Sequence, residues 1–155
     1  MKRIFGSVLV LSSLLLNSCG KNDSGCQPNP VANEKPQLTA YCTANAINYS
    51  EHSSGLLYQI IDPGSGATPT SSSTVSVVYT GKFLTGTTFD ATANPISLSL
   101  SSVIDGWKIG LPLISKGGRI KLIIPSALAY SCAGYPPAIA PNTPLYFDIT
   151  LTDVK

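Results

Sequence analysis

The sequence predicts an α+β domain, a largely antiparallel sheet with one short helix on its apolar face, and three observations carry that reading. Past residue 55, apolar and polar residues alternate at period two in five separate segments, as half-buried strands require. Between the third and fourth of these, "SSVIDGWKIGL" (Ser101 to Leu111) spaces Ile104, Trp107 and Leu111 at i, i+3 and i+7, along one side of a helix. Composition agrees. Of 155 residues 43% are apolar and 12% charged, with Ser, Thr, Gly and Pro plentiful, which suits a strand-rich exported domain better than a charged helical one.

Taken in order, the chain begins with Lys2 and Arg3 ahead of the apolar run Ile4 to Leu16, too short to span a bilayer but right for an export signal over residues 1–18. "LNSC" (Leu16 to Cys19) resembles the bacterial lipobox, which implies cleavage before Cys19 and a diacylglyceryl group on its thiol. Each buried acyl methylene is worth about 0.8 kcal/mol, so such a group would hold the chain on a membrane. Residues 19–35 are polar, bear Pro28 and Pro30, and read as a flexible tether. Residues 36–54 form a lead-in, with "PQLTAYCTANA" setting Leu38, Tyr41, Cys42 and Ala46 on one side of a short helix.

The domain proper is expected over residues 55–155. Its strands are "GLLYQIID", "TVSVVYTGKF", "ISLSLS", "RIKLII" and "LYFDITLTDV". Three of them are apolar on one side only, which predicts a sheet with one face in water. Ser101 and Ser102 are good N-cap residues for the helix, and Pro112 with Gly117 and Gly118 discourages its continuation.

Charge excludes one class of partner. Ten basic residues less Lys2 and Arg3 leave eight against eight acidic ones, so no basic face attracts a phosphate backbone and nucleic acid is not expected. No Ser-His-Asp set, paired-carboxylate motif or phosphate loop is present, and no cofactor is expected. Metal binding is a poor alternative too, because there is no close Cys pair and His52 is the only imidazole. In an oxidising compartment Cys26, Cys42 and Cys132 allow one disulfide with three pairings. The chain's only Trp, Trp107, is by default a core residue.

The order of three motifs says more. "VVYTGKFLTGTTFDAT" (Val77 to Thr92), "VIDGWKIGLPLISKGGRIKLIIPSALAY" (Val103 to Tyr130) and "GYPPAIAPNTPLYFDITLTDV" (Gly134 to Val154) together resemble the FKBP-type peptidyl-prolyl cis-trans isomerases, in their bacterial lipoprotein form. The resemblance covers residues 55–155. It implies an FKBP-like antiparallel five-stranded sheet curled around one short helix, preceded by a short N-terminal helix. It also implies an isomerase of X-Pro bonds that needs no nucleophile, metal or proton shuttle.

Carried over residue by residue, the resemblance makes Trp107 the floor of a proline pocket. Asp90, Tyr130, Tyr79 and Phe89 are the expected catalytic residues; Ile96, Leu98, Val103, Ile104, Trp107, Tyr135, Ile139 and Phe147 are the expected substrate-binding ones. The N–H of Ile104 and the hydroxyl of Tyr130 would donate to the peptide's carbonyls. Two departures stand out: Ile96 and Leu98 replace a large aromatic, and Ser131 followed by Cys132 stands where glycine usually follows the tyrosine, which predicts a changed loop. Expected partners are proline-containing client polypeptides, macrolide inhibitors, and a membrane through the lipid on Cys19. The expected location is the cell envelope, at the outer membrane. A catalytically weak chaperone or peptide-binding module is the alternative. An unrelated β-sandwich would instead show two sheets and no helix at Trp107.

Overall fold

The computed structural model describes residues 25–155, so the signal region 1–18 and Cys19 lie outside the described residues. In order, the elements are α1 (Val31–Ala44), β1 (Ser50–Glu51), β2 (Leu57–Asp62), β3 (Thr74–Phe83), β4 (Thr88–Ala91), β5 (Ile96–Ser99), α2 (Asp105–Gly110), β6 (Arg119–Ile124) and β7 (Leu145–Val154). The strands form one antiparallel sheet in the order β1-β2-β6-β7-β3-β4, with β5 also on β3. There is one sheet and a helix at Trp107, so the sandwich reading fails.

Seven strands replace the expected five for a simple reason. β4 pairs with the Thr80 to Lys82 end of β3 and β5 with its Thr74 to Val77 end, so the two share one edge. The two-residue β1 extends the opposite edge by pairing with β2. The five expected segments all became strands.

Both faces of the sheet are partly covered, contrary to the expectation of one wet face. β6 shows why "RIKLII" is nearly all apolar: Ile120, Leu122 and Ile124 bury on one side, in the core that holds Trp107 and Leu111, while Ile123 buries on the other with Leu57, Tyr146 and α1's Leu38 and Cys42. Each fully buried Leu or Ile of this kind contributes about 1.5–3 kcal/mol. α2 lies close to β6 because glycines face it. A Cβ on Gly106 would stand 2.6 Å from Ile124 and one on Gly110 2.6 Å from Leu122.

Two helix starts differ from expectation. α2 begins at Asp105 with Ile104 as its N-cap, and Ser101 and Ser102 belong to a preceding 3-10 turn, Leu100–Ser102. α1 begins at Val31, inside the segment expected to be a tether, and runs through Pro36. The reason is packing. Glu34, Leu38 and Cys42, at i, i+4 and i+8, are all buried on one stripe. The cysteines resolve as Cys26–Cys132, Cα to Cα 5.3 Å, leaving Cys42 free and buried, its thiol pKa pushed up by desolvation.

Candidate functional site

A cavity of about 220 Å³ opens above α2, lined by Tyr79, Phe89, Asp90, Ser102, Val103, Ile104, Trp107, Tyr130 and Phe147. It is smaller than the roughly 300–1,000 Å³ of drug-sized ligand sites, so a single ring-sized group is what fits.

Trp107, 4% exposed, forms the bottom, fixed by the first turn of α2. Tyr79 from β3 and Phe147 from β7 meet it edge-on, with ring centroids 5.1 and 5.3 Å away and interplanar angles of 84° and 88°. Phe89 from β4 meets Phe147 at 5.6 Å and 90°. Edge-to-face pairs of this kind add about 0.5–1.5 kcal/mol each beyond their burial and hold one another's orientation. Gly81 makes the arrangement possible, since a Cβ there would lie 2.8 Å from both the Phe89 and Phe147 rings.

Polar groups enter from three elements. Asp90, on β4, accepts a hydrogen bond of 2.5 Å from the Tyr79 hydroxyl, which holds one carboxylate oxygen in place. Tyr130 lines the cavity after the 3-10 turn Ser126–Leu128, with the Tyr135 ring tilted at 37° beside its own, centroids 5.4 Å apart. Ile104 presents its N–H just before α2 starts, and among the described residues neither that N–H nor the Tyr130 hydroxyl is bonded to another protein group. The Trp107 indole Nε1 is buried without an acceptor as well. The cavity therefore combines apolar walls with unspent donors.

Burial lifts the pKa of both phenols. Tyr79 is held well above the ordinary range near 10, first by desolvation and then by its bond to Asp90; Tyr130 is raised by desolvation, then by Tyr135 and Asp90 nearby. Raised folded-state values stabilise the fold fully below pH 10, and that contribution is lost as pH climbs through them, because the unfolded phenols ionise first. We therefore expect melting temperature to begin falling near pH 10, while Tyr130, read in an NMR titration of its ring, keeps its proton beyond that point.

Four expected site residues do not line the cavity. Ile96 and Leu98 pair with Val77 and Val75, at the end of β3 away from β4, where both pack half-buried on the main core. Ile139 is 3% exposed and belongs to the core, and Tyr135 is 60% exposed outside. Ser102 is the lining residue that sequence reasoning missed; it read as a helix cap. Ser131, where glycine usually follows the tyrosine, has a left-handed backbone, φ 52°, a region that favours glycine. A larger groove, about 830 Å³, runs between α1 and residues 137–144, but none of the expected site residues lines it.

Comparisons with known proteins agree on this region. Residues 66–152 match the family described as FKBP-type peptidyl-prolyl cis-trans isomerase. The chain is 48% identical over 106 residues to the "FKBP-type peptidyl-prolyl cis-trans isomerase FkpA" of Escherichia coli K12, a match covering 66% of this chain and 39% of that protein. It is 43% identical over 105 residues to the "Outer membrane protein MIP" of Legionella longbeachae, covering 66% and 45%. The chain thus spans less than half the length of either curated relative. Among solved structures, FkpA from E. coli superposes with a TM-score of 0.71 at 42% identity, covering 81% of this chain and 61% of that one. A peptidyl-prolyl cis-trans isomerase from Pseudomonas syringae does so at 0.70 and 30% identity, covering 83% and 98%.

Proposed function

Because this chain belongs to the FKBP-type peptidyl-prolyl cis-trans isomerases, we propose that its cavity over Trp107 accelerates the isomerisation of X-Pro bonds in client polypeptides. The observation that carries this reading is the cavity itself: aromatic walls sized for a proline ring, with Asp90, Tyr130 and Ile104 among its lining residues.

The chemistry asked of such a site is modest. Rotation about a peptide bond costs about 18–20 kcal/mol because twisting breaks amide resonance. In the twisted state the carbonyl oxygen carries less negative charge and the prolyl nitrogen regains its lone pair. An apolar pocket penalises that less polar form less than the planar one. Donors at Ile104 and Tyr130 fix the flanking carbonyls so that one side of the bond is held while the other turns. Asp90, clamped by Tyr79, sets a fixed negative charge beside the carbonyl whose charge changes. A barrier lowered by about 5–6 kcal/mol corresponds to roughly ten-thousandfold acceleration. No bond is made or broken.

The test is the cis-to-trans exchange rate of an X-Pro tetrapeptide followed by NMR. Tyr130→Phe removes one neutral hydrogen bond, about 0.5–1.5 kcal/mol, so kcat/KM is expected to fall about threefold to tenfold. Asp90→Ala is expected to cost about tenfold or more through lost electrostatic stabilisation. A folded chain that binds proline peptides without accelerating exchange would instead favour the chaperone or peptide-binding reading.

Lipidation of Cys19, anchoring at the outer membrane, exported clients and macrolide inhibitors remain parts of this proposal. The lipobox-like "LNSC" and the envelope relative support the first three; the apolar cavity supports the last. Among the described residues no helix is long and apolar enough to cross a membrane. Mass spectrometry of the membrane fraction, comparing Cys19→Ser with the unchanged chain, tests the anchor.

A further inference from the structure

We propose that Glu34, on the N-terminal helix, is a positioning residue for Tyr130; the inference rests on the isomerase reading above. Glu34 is 0% exposed, and an ionised carboxylate tolerates that only when its oxygens are satisfied. Here they are. One oxygen accepts from the Ser126 N–H at 2.7 Å; the other accepts from the Ser126 hydroxyl at 2.5 Å and from Asn29 Nδ2 at 2.9 Å. Ser126, 92 residues away in sequence, is itself fully buried.

What Glu34 holds is the base of the loop that delivers Tyr130. The Ser126 carbonyl accepts from the N–H groups of Ala129 at 2.9 Å and Ser131 at 2.8 Å, the two residues flanking Tyr130. Ser131 has a φ of 52°, a conformation that a non-glycine residue keeps only where its surroundings impose it. The same N-terminal segment grips the loop further on. Cys26 is bonded to Cys132, the Asn29 N–H donates to the Asn142 side-chain oxygen at 3.1 Å, and the Asn142 backbone N–H donates to the Ser131 carbonyl at 2.8 Å. Thus residues 26–34 contact the loop at its start, just past its tyrosine, and at its end. A hydrophobic residue at position 34 would fill the space equally well, but would leave the Ser126 donors buried and unpaired.

The experiment compares Glu34→Ala and Glu34→Gln in the intact chain, each with and without Tyr130→Phe, at a temperature where all stay folded. Three readouts are taken: kcat/KM for the X-Pro peptide, the amide shifts of Ala129 and Ser131, and melting temperature. Glu34→Ala is expected to lower kcat/KM about threefold to tenfold, as much as Tyr130→Phe, and to shift both amides. Glu34→Gln keeps an acceptor for Ser126 and is expected to recover most of the loss. In the Tyr130→Phe background Glu34→Ala should remove little more, because residues acting through one group are not additive.

A lowered melting temperature with unchanged kcat/KM and unmoved amides would overturn the proposal, leaving Glu34 a purely structural residue. So would a loss that simply multiplies with that of Tyr130→Phe. If the unchanged chain shows no acceleration at all, the isomerase reading fails instead. The amide shifts, together with the Tyr130 ring resonance, then still decide whether Glu34 sets the position of Tyr130.

Discussion

Trp107→Ala is expected to cost about 3–5 kcal/mol of folding stability. The indole is 4% exposed, meets Tyr79 and Phe147 edge-on, and sits between α2 and the sheet, so its removal empties the floor of the cavity and the top of the core together. Urea unfolding measures the loss, and so large a change leaves activity hard to interpret. Trp107→Leu separates the two effects. Leucine refills part of the core, with an expected cost of about 1–3 kcal/mol, but offers no flat ring for a prolyl group. In a folded Trp107→Leu chain, kcat/KM is expected to fall about tenfold, near 1.4 kcal/mol of transition-state stabilisation. Full activity in that variant would remove Trp107 from the site and leave it only in the core.

The second large effect is expected from breaking Cys26–Cys132. The bond joins residues 106 apart, and closing a loop of that length in the unfolded chain corresponds to about 4–5 kcal/mol in the chain-entropy account. Paired Cys26→Ser and Cys132→Ser substitutions should therefore lower the urea midpoint sharply. Activity responds for a different reason. Ser131 pays about 1–2 kcal/mol for its left-handed backbone, and with the neighbouring bond gone the loop is freer to relax it, an expected loss in kcat/KM of up to about tenfold. Ser131→Gly removes that strain and is expected to restore activity to the disulfide-free chain without restoring its stability. Activity unchanged on loss of the bond would mean that the Glu34 and Asn142 contacts hold the loop by themselves.

How much was legible in the sequence follows from how local each signal is. Strand alternation is written within a few residues, so the five main strands were readable, and so was the helix bearing Trp107. The order of motifs brought Tyr79, Phe89, Asp90, Ile104, Trp107, Tyr130 and Phe147 forward before any geometry, and the structure puts them around one cavity. What was not readable depends on long separations. Pro28 and Pro30 made residues 19–35 look like a tether, and nothing near Glu34 in the chain announces Ser126, 92 residues away. The pairing of Cys26 with Cys132 was one of three equal options; only the burial of Cys42 on the Leu38 stripe decides it. Ile96 and Leu98 were expected at the site from the resemblance alone; they pair with the end of β3 away from β4, while the cavity lies toward its other end.

The place of β7 also governs when the sheet can close. The last strand, Leu145–Val154, is the shared neighbour of β3 and β6, pairing with nine residues of the first and six of the second. Because Leu145–Val154 follows both β3 and β6 in the chain, the two halves of the sheet have nothing to join them until that segment has been made. Residues 25 to 144 must wait, with Ile120, Leu122 and Ile124 uncovered by their eventual neighbour. Contacts so distant along the chain also make closure slow. The molecule is thus obliged to pass through the kind of exposed, unfinished state in which a nascent protein is most open to capture by others.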